Sequence, residues 1–409
     1  LIDKEGVMSD FFQCGRIATL HQISSVKLER IEDELRQYVR FKPVSLILPC
    51  QYTEITGAAL PRIVEHLKGA DYLLRIVVTL DGAGKDGYLK TKEFLSALPQ
   101  ETAIIWNNSP SMESFYSRLW TEGLVDTASG KGRSLWMAVG YIHARKDTEV
   151  IVVHDSDILT YERSLLARLI YPLVHPSMEY EFAKGYYARV TNRLHGRVMR
   201  LFVIPLIRAL KSAVGKIPYL EYLDSFRYPI SGEFAGTSDL MRVSRMPASW
   251  GLEIGMLEEV YRNCAQRRIC QVDLSIEYEH AHLELSDKDP SKGLHKMCID
   301  IACTLFHALA AEGISFSEAM FRSLKVAYQL IAQDMIRFYE DDAAINGLLF
   351  DRHSEEVAVE TFTKGLEIAA MEFMEDPLVV HFIPSWSRAS SALPGITSEL
   401  VDIVESKSI

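Results

Sequence analysis

The 409-residue chain has six cysteines (Cys14, Cys50, Cys264, Cys270, Cys298, Cys303), and no two of them are spaced Cys-x-x-Cys. This argues against thioredoxin-type redox chemistry and the common zinc frameworks. Cys298 and Cys303 fall in an apolar helical pattern and read as inert core thiols. No apolar run is long enough to cross a bilayer and no signal peptide is evident, so the cytoplasm is the expected compartment. Leu1 to Val7 precede Met8 and read as disordered or extraneous to the fold. An excess of positive charge is also missing. Forty-four Lys and Arg against 55 Asp and Glu leave a formal charge of −11, which argues against a general nucleic-acid or anionic-membrane binder. There is no internal repeat, no Walker A spacing, and no Ser/His/Asp or Cys/His arrangement in any local motif, although a triad dispersed along the chain stays open.

What is present is an ordinary globular composition, 48% hydrophobic and 24% charged, in a chain too long for one small core. Pattern and breakers predict a helix over 27–41, a strand over 43–49, a helix over 57–68 and a strand over 73–80 ending at Asp81. A helix over 86–98, a strand over 102–106, a helix over 132–144 and a strand over 150–153 follow. Strands alternating with helices imply an α/β fold with a mostly parallel sheet and right-handed crossovers. A mixed region from 180 to 279 carries strand-like segments at 182–189 and 269–278. The polar break at 287–293 is the best domain boundary, with three helices beyond it and a Ser/Pro-rich, loosely held tail from Pro377. The expected organisation is an N-terminal extension over 1–42, a catalytic domain over 43–286 with halves 43–157 and 158–286, and a helical region over 287–409. In the second C-terminal helix Leu324, Tyr328, Ile331, Met335 and Phe338 form one apolar stripe, a core-packing face or a subunit contact.

The most informative motif is Val152-Val153-His154-Asp155-Ser156-Asp157, a buried strand running into two carboxylates one residue apart. Ligands of α/β proteins bind outside the carboxyl ends of strands, where such a pair suits a divalent cation holding a diphosphate. A solvated strand-end turn is the bland alternative. Gly130-Lys131-Gly132 just before a helix offers backbone N–H groups and an ammonium to a phosphate, or is merely a basic turn. Gly82-Ala83-Gly84-Lys85-Asp86-Gly87 matches G-x-G-x-x-G and makes a nicotinamide dehydrogenase a competitor. Against that reading, it follows the second strand, and Asp81 sits where pyrophosphate would approach. A haloacid-dehalogenase-type phosphatase would need a hydroxyl where Leu159 stands, and Thr160 comes one residue late. His280 and His282 fall on one face if the preceding strand continues, within reach of a metal.

In order along 43–282, these segments resemble the retaining glucosyl-3-phosphoglycerate synthases, a glycosyltransferase family with the GT-A fold, and the related mannosyl-3-phosphoglycerate synthases. The resemblance rests on Leu48-Pro49, Asp81, Gly130-Lys131-Gly132 with Leu135-Trp136, and Asp155-Ser156-Asp157. It continues through Gly196-Arg197-Val198, Ser231-Gly232-Glu233-Phe234-Ala235, Gly251-Leu252-Glu253-Ile254-Gly255 and His280. It implies a Rossmann-like sheet with a C-terminal helical region and a homodimer through the C-terminal helices. Pro49, Tyr52, Glu54 and Asp81 would surround base and ribose, Lys131 would contact the nucleotide near its phosphates, and Asp155 would face ribose or donor sugar. Asp157 and His280 would bind Mg²⁺ or Mn²⁺ with the diphosphate, and Glu253 would hydrogen-bond sugar hydroxyls; Asp157, Lys131 and Glu253 are the expected catalytic set. Arg197 with Gly196 and Val198 would hold the acceptor's phosphate or carboxylate, with Lys184 and Thr191 on the same side.

The implied reaction moves glucose from an NDP-glucose to the 2-hydroxyl of 3-phospho-D-glycerate with the α-configuration kept. Mannosyl transfer, glucosylglycerate synthesis, a Mg²⁺ phosphatase and a non-catalytic sugar-nucleotide binder are the alternatives. The chain departs from the family at Met199, where a threonine is usual, and a thioether cannot donate to phosphate. Either Thr191, Asn192 or Arg200 compensates, or plain D-glycerate becomes an acceptor. The histidine segment is also about one residue longer than the family pattern, which leaves His282 as an alternative metal ligand.

Overall fold

A computed structural model of the chain describes residues 13, 15–23, 27–125, 130–275, 278–279 and 284–406. Ten strands are present among them: β1 Ala18–Leu20, β2 Val44–Gln51, β3 Arg75–Asp81, β4 Glu101–Trp106, β5 Val150–Val153, β6 Phe182–Tyr187, β7 Phe234–Thr237, β8 Met246–Pro247, β9 Ile269–Ser275 and β10 Phe382–Ile383. Eight of them form one sheet in the order β1-β9-β6-β7-β5-β2-β3-β4, while β8 and β10 pair separately. Strands β2, β3, β4 and β5 run parallel, and β7 is antiparallel to both β5 and β6. The expected mostly parallel α/β sheet is what forms.

Alternation explains the burial. Ile47, Val77, Ile151 and Val153 feed the core on one face, and Leu46, Leu48, Ile76, Val78, Val150 and Val152 feed that on the other. Strands covered on both faces are apolar throughout, which is why β2 and β5 read as continuous runs. Pro49 is tolerated in β2 because pairing with β5 has already ended at Ile47↔Val153. Beyond that point the chain leaves β5 as the Asp155–Asp157 turn, and Ser156 Oγ donates to the Pro49 carbonyl at 2.7 Å.

The C-terminal helices Gly293–Ala311, Glu318–Ile345 and Arg352–Glu375 follow one another without a strand of the sheets between them. On the middle one, Leu324, Tyr328 and Met335 are buried against the core and Phe338 stays half exposed. Gly293–Ala311 is the one helix among the described residues long and apolar enough to cross a membrane, contrary to the expectation of none, and 67% of its most apolar stretch is buried within the fold.

The tail is not loosely held. Phe382 and Ile383 pair with Pro247 and Met246, and Trp386 stacks on Trp136 with ring centroids 4.1 Å apart. Trp136 Nε1 donates to Pro384 O at 2.7 Å, and Trp386 Nε1 donates to Trp136 O at 2.6 Å. Gly140 leaves room for that ring, since a Cβ there would overlap the Trp386 indole. Buried aromatic area overrides the loose Ser/Pro composition.

Candidate active site

The carboxyl ends of β2, β3 and β5 open onto one cavity of about 1060 Å³. Pro49, Glu54, Asp81, Asp155 and Asp157 line it, as do Lys131 and Glu253, and so do Gly196, Arg197 and Val198. Parallel strands aligned at their ends deliver the first group, as the switch-point rule requires.

Asp81 ends β3 and is fixed in place. Ser134 Oγ donates to its Oδ2 at 2.7 Å and Asn107 Nδ2 at 3.1 Å, while Tyr116 OH donates to Asn107 Oδ1 at 2.7 Å. Ser134 lies in the first turn of the Lys131–Arg145 helix, which seats on the Pro247–Ala248 backbone. Gly130 and Gly132 permit that approach, because a Cβ on Gly132 would overlap the Pro247 carbonyl.

Lys131 is the electrostatic centre of the site. Its Nζ lies 2.5 Å from Asp155 Oδ1 and 3.0 Å from Glu253 Oε1. Burial opposes its charge, but Asp155 and then Glu253 outweigh burial and raise the ammonium's pKa. Glu253 comes from the first turn of the Leu252–Asn263 helix. Gly232 lets the Asp155 carboxylate come close, since a Cβ there would overlap it. Beside it Glu233 is fully buried; burial first and Asp155's charge second push its carboxyl above the usual range. His154 is also fully buried, and burial pushes its imidazole down to about 3, so it stays neutral next to the acidic turn.

Glu54 and Asp157 are electrostatic neighbours: burial and then the Asp157 charge raise the Glu54 carboxyl. Among the described residues no group of three or more His, Cys, Asp and Glu side chains is arranged to hold a metal ion. A small oxygen set next to a phosphate site is nevertheless what Mg²⁺ or Mn²⁺ uses, taking one or two carboxylates and substrate phosphates for the remainder. His280, the second expected ligand, and His282 lie outside the described residues.

Three assigned residues are not on the cavity wall. Tyr52 packs across Gly87, the last glycine of the G-x-G-x-x-G segment, with a Cβ position 2.9 Å from its ring. Thr191 is exposed and bonds His195 Nε2 through Oγ1 at 2.7 Å. Lys184 is fully buried, with Nζ donating to Ser231 O at 2.7 Å, and burial pushes its pKa down to about 8. Met199 does line the cavity, and Arg200 sits beneath the loop instead, its Nε donating to His195 O at 2.8 Å.

Further cavity residues lay outside the expected set: Arg189, Arg193 and His195 from the loop after β6, and Lys296, Asp300 and His381 from the C-terminal region. Arginines at 189, 193 and 197 recur every four residues, a basic signal visible in the chain itself.

No family model matches the chain. It is 46% identical over 398 residues to a glucosyl-3-phosphoglycerate synthase from Persephonella marina, covering 97% of this chain and 98% of that one. A glucosyl-3-phosphoglycerate synthase from Methanococcoides burtonii is 36% identical, with 96% of each chain covered. The fold is similar to a crystal structure of glucosyl-3-phosphoglycerate synthase from Mycobacterium tuberculosis in complex with Mn²⁺, uridine-diphosphate and phosphoglyceric acid. That match has a TM-score of 0.53 and 20% identity, covering 74% of this chain and 88% of that one.

Proposed function

The chain belongs to the glucosyl-3-phosphoglycerate synthase family, and from that premise we propose that its cavity transfers glucose from an NDP-glucose to the 2-hydroxyl of 3-phospho-D-glycerate, keeping the α-configuration. The observation that carries the reading is that one cavity is lined both by the strand-end carboxylates Asp155 and Asp157 and by the anion-binding side chain Arg197.

Pro49, Glu54 and Asp81 line the part of the cavity at the β2 and β3 ends, where the nucleotide lies in this reading. Asp157, with Glu54 beside it and His280 from the family resemblance, would hold Mg²⁺ or Mn²⁺ against the diphosphate. When bound there, the cation supplies Lewis-acid neutralisation of the leaving diphosphate. The Lys131 ammonium adds fixed positive charge beside the same group, acting by preorganised electrostatics. Asp155 and Glu253 are both ion-paired to Lys131. No protein nucleophile is required in this reading: the acceptor hydroxyl attacks on the face the diphosphate leaves, and a phosphate oxygen takes its proton. Both carboxylates remain able to accept hydrogen bonds from sugar hydroxyls and orient the ring. Gly196, Arg197 and Val198 receive an acceptor anion.

A second acceptor, D-glycerate, is favoured by the presence of Met199 on the cavity wall where the family usually has threonine. The test is release of nucleoside diphosphate from UDP- or GDP-glucose and their mannose counterparts, with Mg²⁺ and each acceptor in turn. We expect acceptor-dependent release with a glucose donor and 3-phosphoglycerate. Release with glycerate alone would move the assignment to glucosylglycerate synthesis, and no release with any pair would remove it. A homodimer through the C-terminal helices is part of the same reading, supported by the exposure of Val326 (66%) and Leu330 (62%) on the Glu318–Ile345 helix.

A further inference from the structure

The Gly196-Arg197-Val198 turn is held from behind by the C-terminal helices. Gly196 makes the turn at φ +72°, with Tyr228 OH 3.1 Å from where a Cβ would stand. Residues 198–203 then form a wide π-type turn, a device often found at functional sites. Asn192 O accepts from Leu349 N at 2.8 Å, and the Arg200 guanidinium lies 4.8 Å over the Tyr339 ring. The strongest tie is Glu355, in the first turn of the Arg352–Glu375 helix and only 4% exposed. Arg197 Nε donates to Glu355 Oε1 at 2.8 Å, and Arg200 Nη2 lies 2.9 Å from Glu355 Oε2 as an ion pair.

Arg197 lines the cavity and Glu355 does not. Among the described residues, Glu355 is the only hydrogen-bond partner of the Arg197 side chain. A guanidinium is a planar fork of five N–H donors. Fixing the Nε edge on a buried carboxylate leaves the Nη donors for a bidentate anion and sets the plane in which that anion must lie. The same carboxylate offsets one of the two arginine charges, so the pocket keeps one net positive charge from these three groups.

We infer that Glu355 is the positioning residue of the acceptor site: through Arg197 and Arg200 it sets the orientation and charge with which the loop receives the acceptor's phosphate or carboxylate. Glu355 thereby enters acceptor selection from behind the cavity wall, which it does not itself line. This rests on Arg197 being an acceptor contact, and the experiment separates the two claims.

The test is a double-mutant cycle on steady-state kinetics with Glu355→Gln, Arg197→Gln and the double variant, reading the KM of acceptor and donor separately. Glu355→Gln keeps the shape and removes the charge. We expect it to raise the acceptor KM about tenfold or more, the order expected for losing a charge-assisted tether, with the donor KM within about twofold of wild type. In the Arg197→Gln background the same change should add little. Glu355→Asp keeps the charge on a shorter arm and should recover part of the loss; it also carries the test if the glutamine variant folds poorly. An acceptor KM raised by Arg197→Gln but untouched by both Glu355 variants would overturn the positioning role alone. Arg197→Gln without effect on the acceptor KM would overturn the acceptor reading itself. Equal losses in donor and acceptor KM, or full additivity in the cycle, would mark Glu355 as structural only.

Discussion

Lys131 and Lys184 are two buried or half-buried ammonium groups with opposite fates. Lys131 has carboxylates at 2.5 and 3.0 Å that hold its charge, whereas Lys184 Nζ donates to the Ser231 carbonyl and has no carboxylate in ion-pair contact among the described residues. Burial lowers Lys184 to about 8 from 10.5, against partial support from Glu253. At about 1.4 kcal/mol per pH unit, that difference corresponds to about 3 kcal/mol. The unfolded lysine keeps its proton up to about 10.5 while the folded one sheds it near 8, so between those values the unfolded state holds more protons and stability rises with pH. Below pH 8 the penalty is present in full. The stability of the wild type relative to Lys184→Met should therefore improve by about 2 kcal/mol between pH 8 and 10, measured by chemical denaturation across that range. A difference that does not change with pH would show that Lys184 is not held as the buried cation described. The acidic pair Asp155 and Asp157 was legible because a strand of β-branched residues runs into it. The burial of Lys184 was not, because a lone lysine in a strand does not report that the strand lies inside the sheet, between β9 and β7.

At the scale of elements, continuous apolar, β-branched runs and breaker residues reported the central strands closely: the strand expected over 150–153 is Val150–Val153, and that over 73–80 is Arg75–Asp81. The Pro110–Thr121 helix also carries its start signal in the chain, with Ser109 capping Met112 N and proline at the first position. The tail was opaque, because its order comes from partners 250 residues distant in sequence. Trp386→Ala would remove the stack on Trp136 and the indole bond to its carbonyl, leaving a cavity against Gly140. We expect a loss of about 3–5 kcal/mol, seen as a lower denaturation midpoint with unchanged slope. A midpoint within error of wild type would mean the tail packs without contributing stability.

The whole molecule unites a sheet whose strand ends supply the carboxylates with a C-terminal region that supplies Lys296, Asp300 and His381 to the same cavity and Glu355 behind it. The 287–293 break ends in a helix that lines this cavity, so the C-terminal region is part of the site's wall. The Glu318–Ile345 helix buries Leu324 and Tyr328 inward and leaves Val326 and Leu330 exposed. For the proposed dimer, light scattering should give about twice the 46.3 kDa chain mass, and a monomer at micromolar concentration would refute that proposal. In the proposed reaction a strand-end carboxylate and a divalent cation together activate a sugar nucleotide toward phosphoglycerate. The most direct measurement is the formation of glucosyl-3-phosphoglycerate from NDP-glucose by wild type and Asp157→Asn, each with Mg²⁺ and with EDTA. Wild type should turn over with Mg²⁺ and stop with EDTA, and folded Asp157→Asn should be at least about 100-fold slower with Mg²⁺. Undiminished product from Asp157→Asn, or from wild type stripped of metal, would contradict the account.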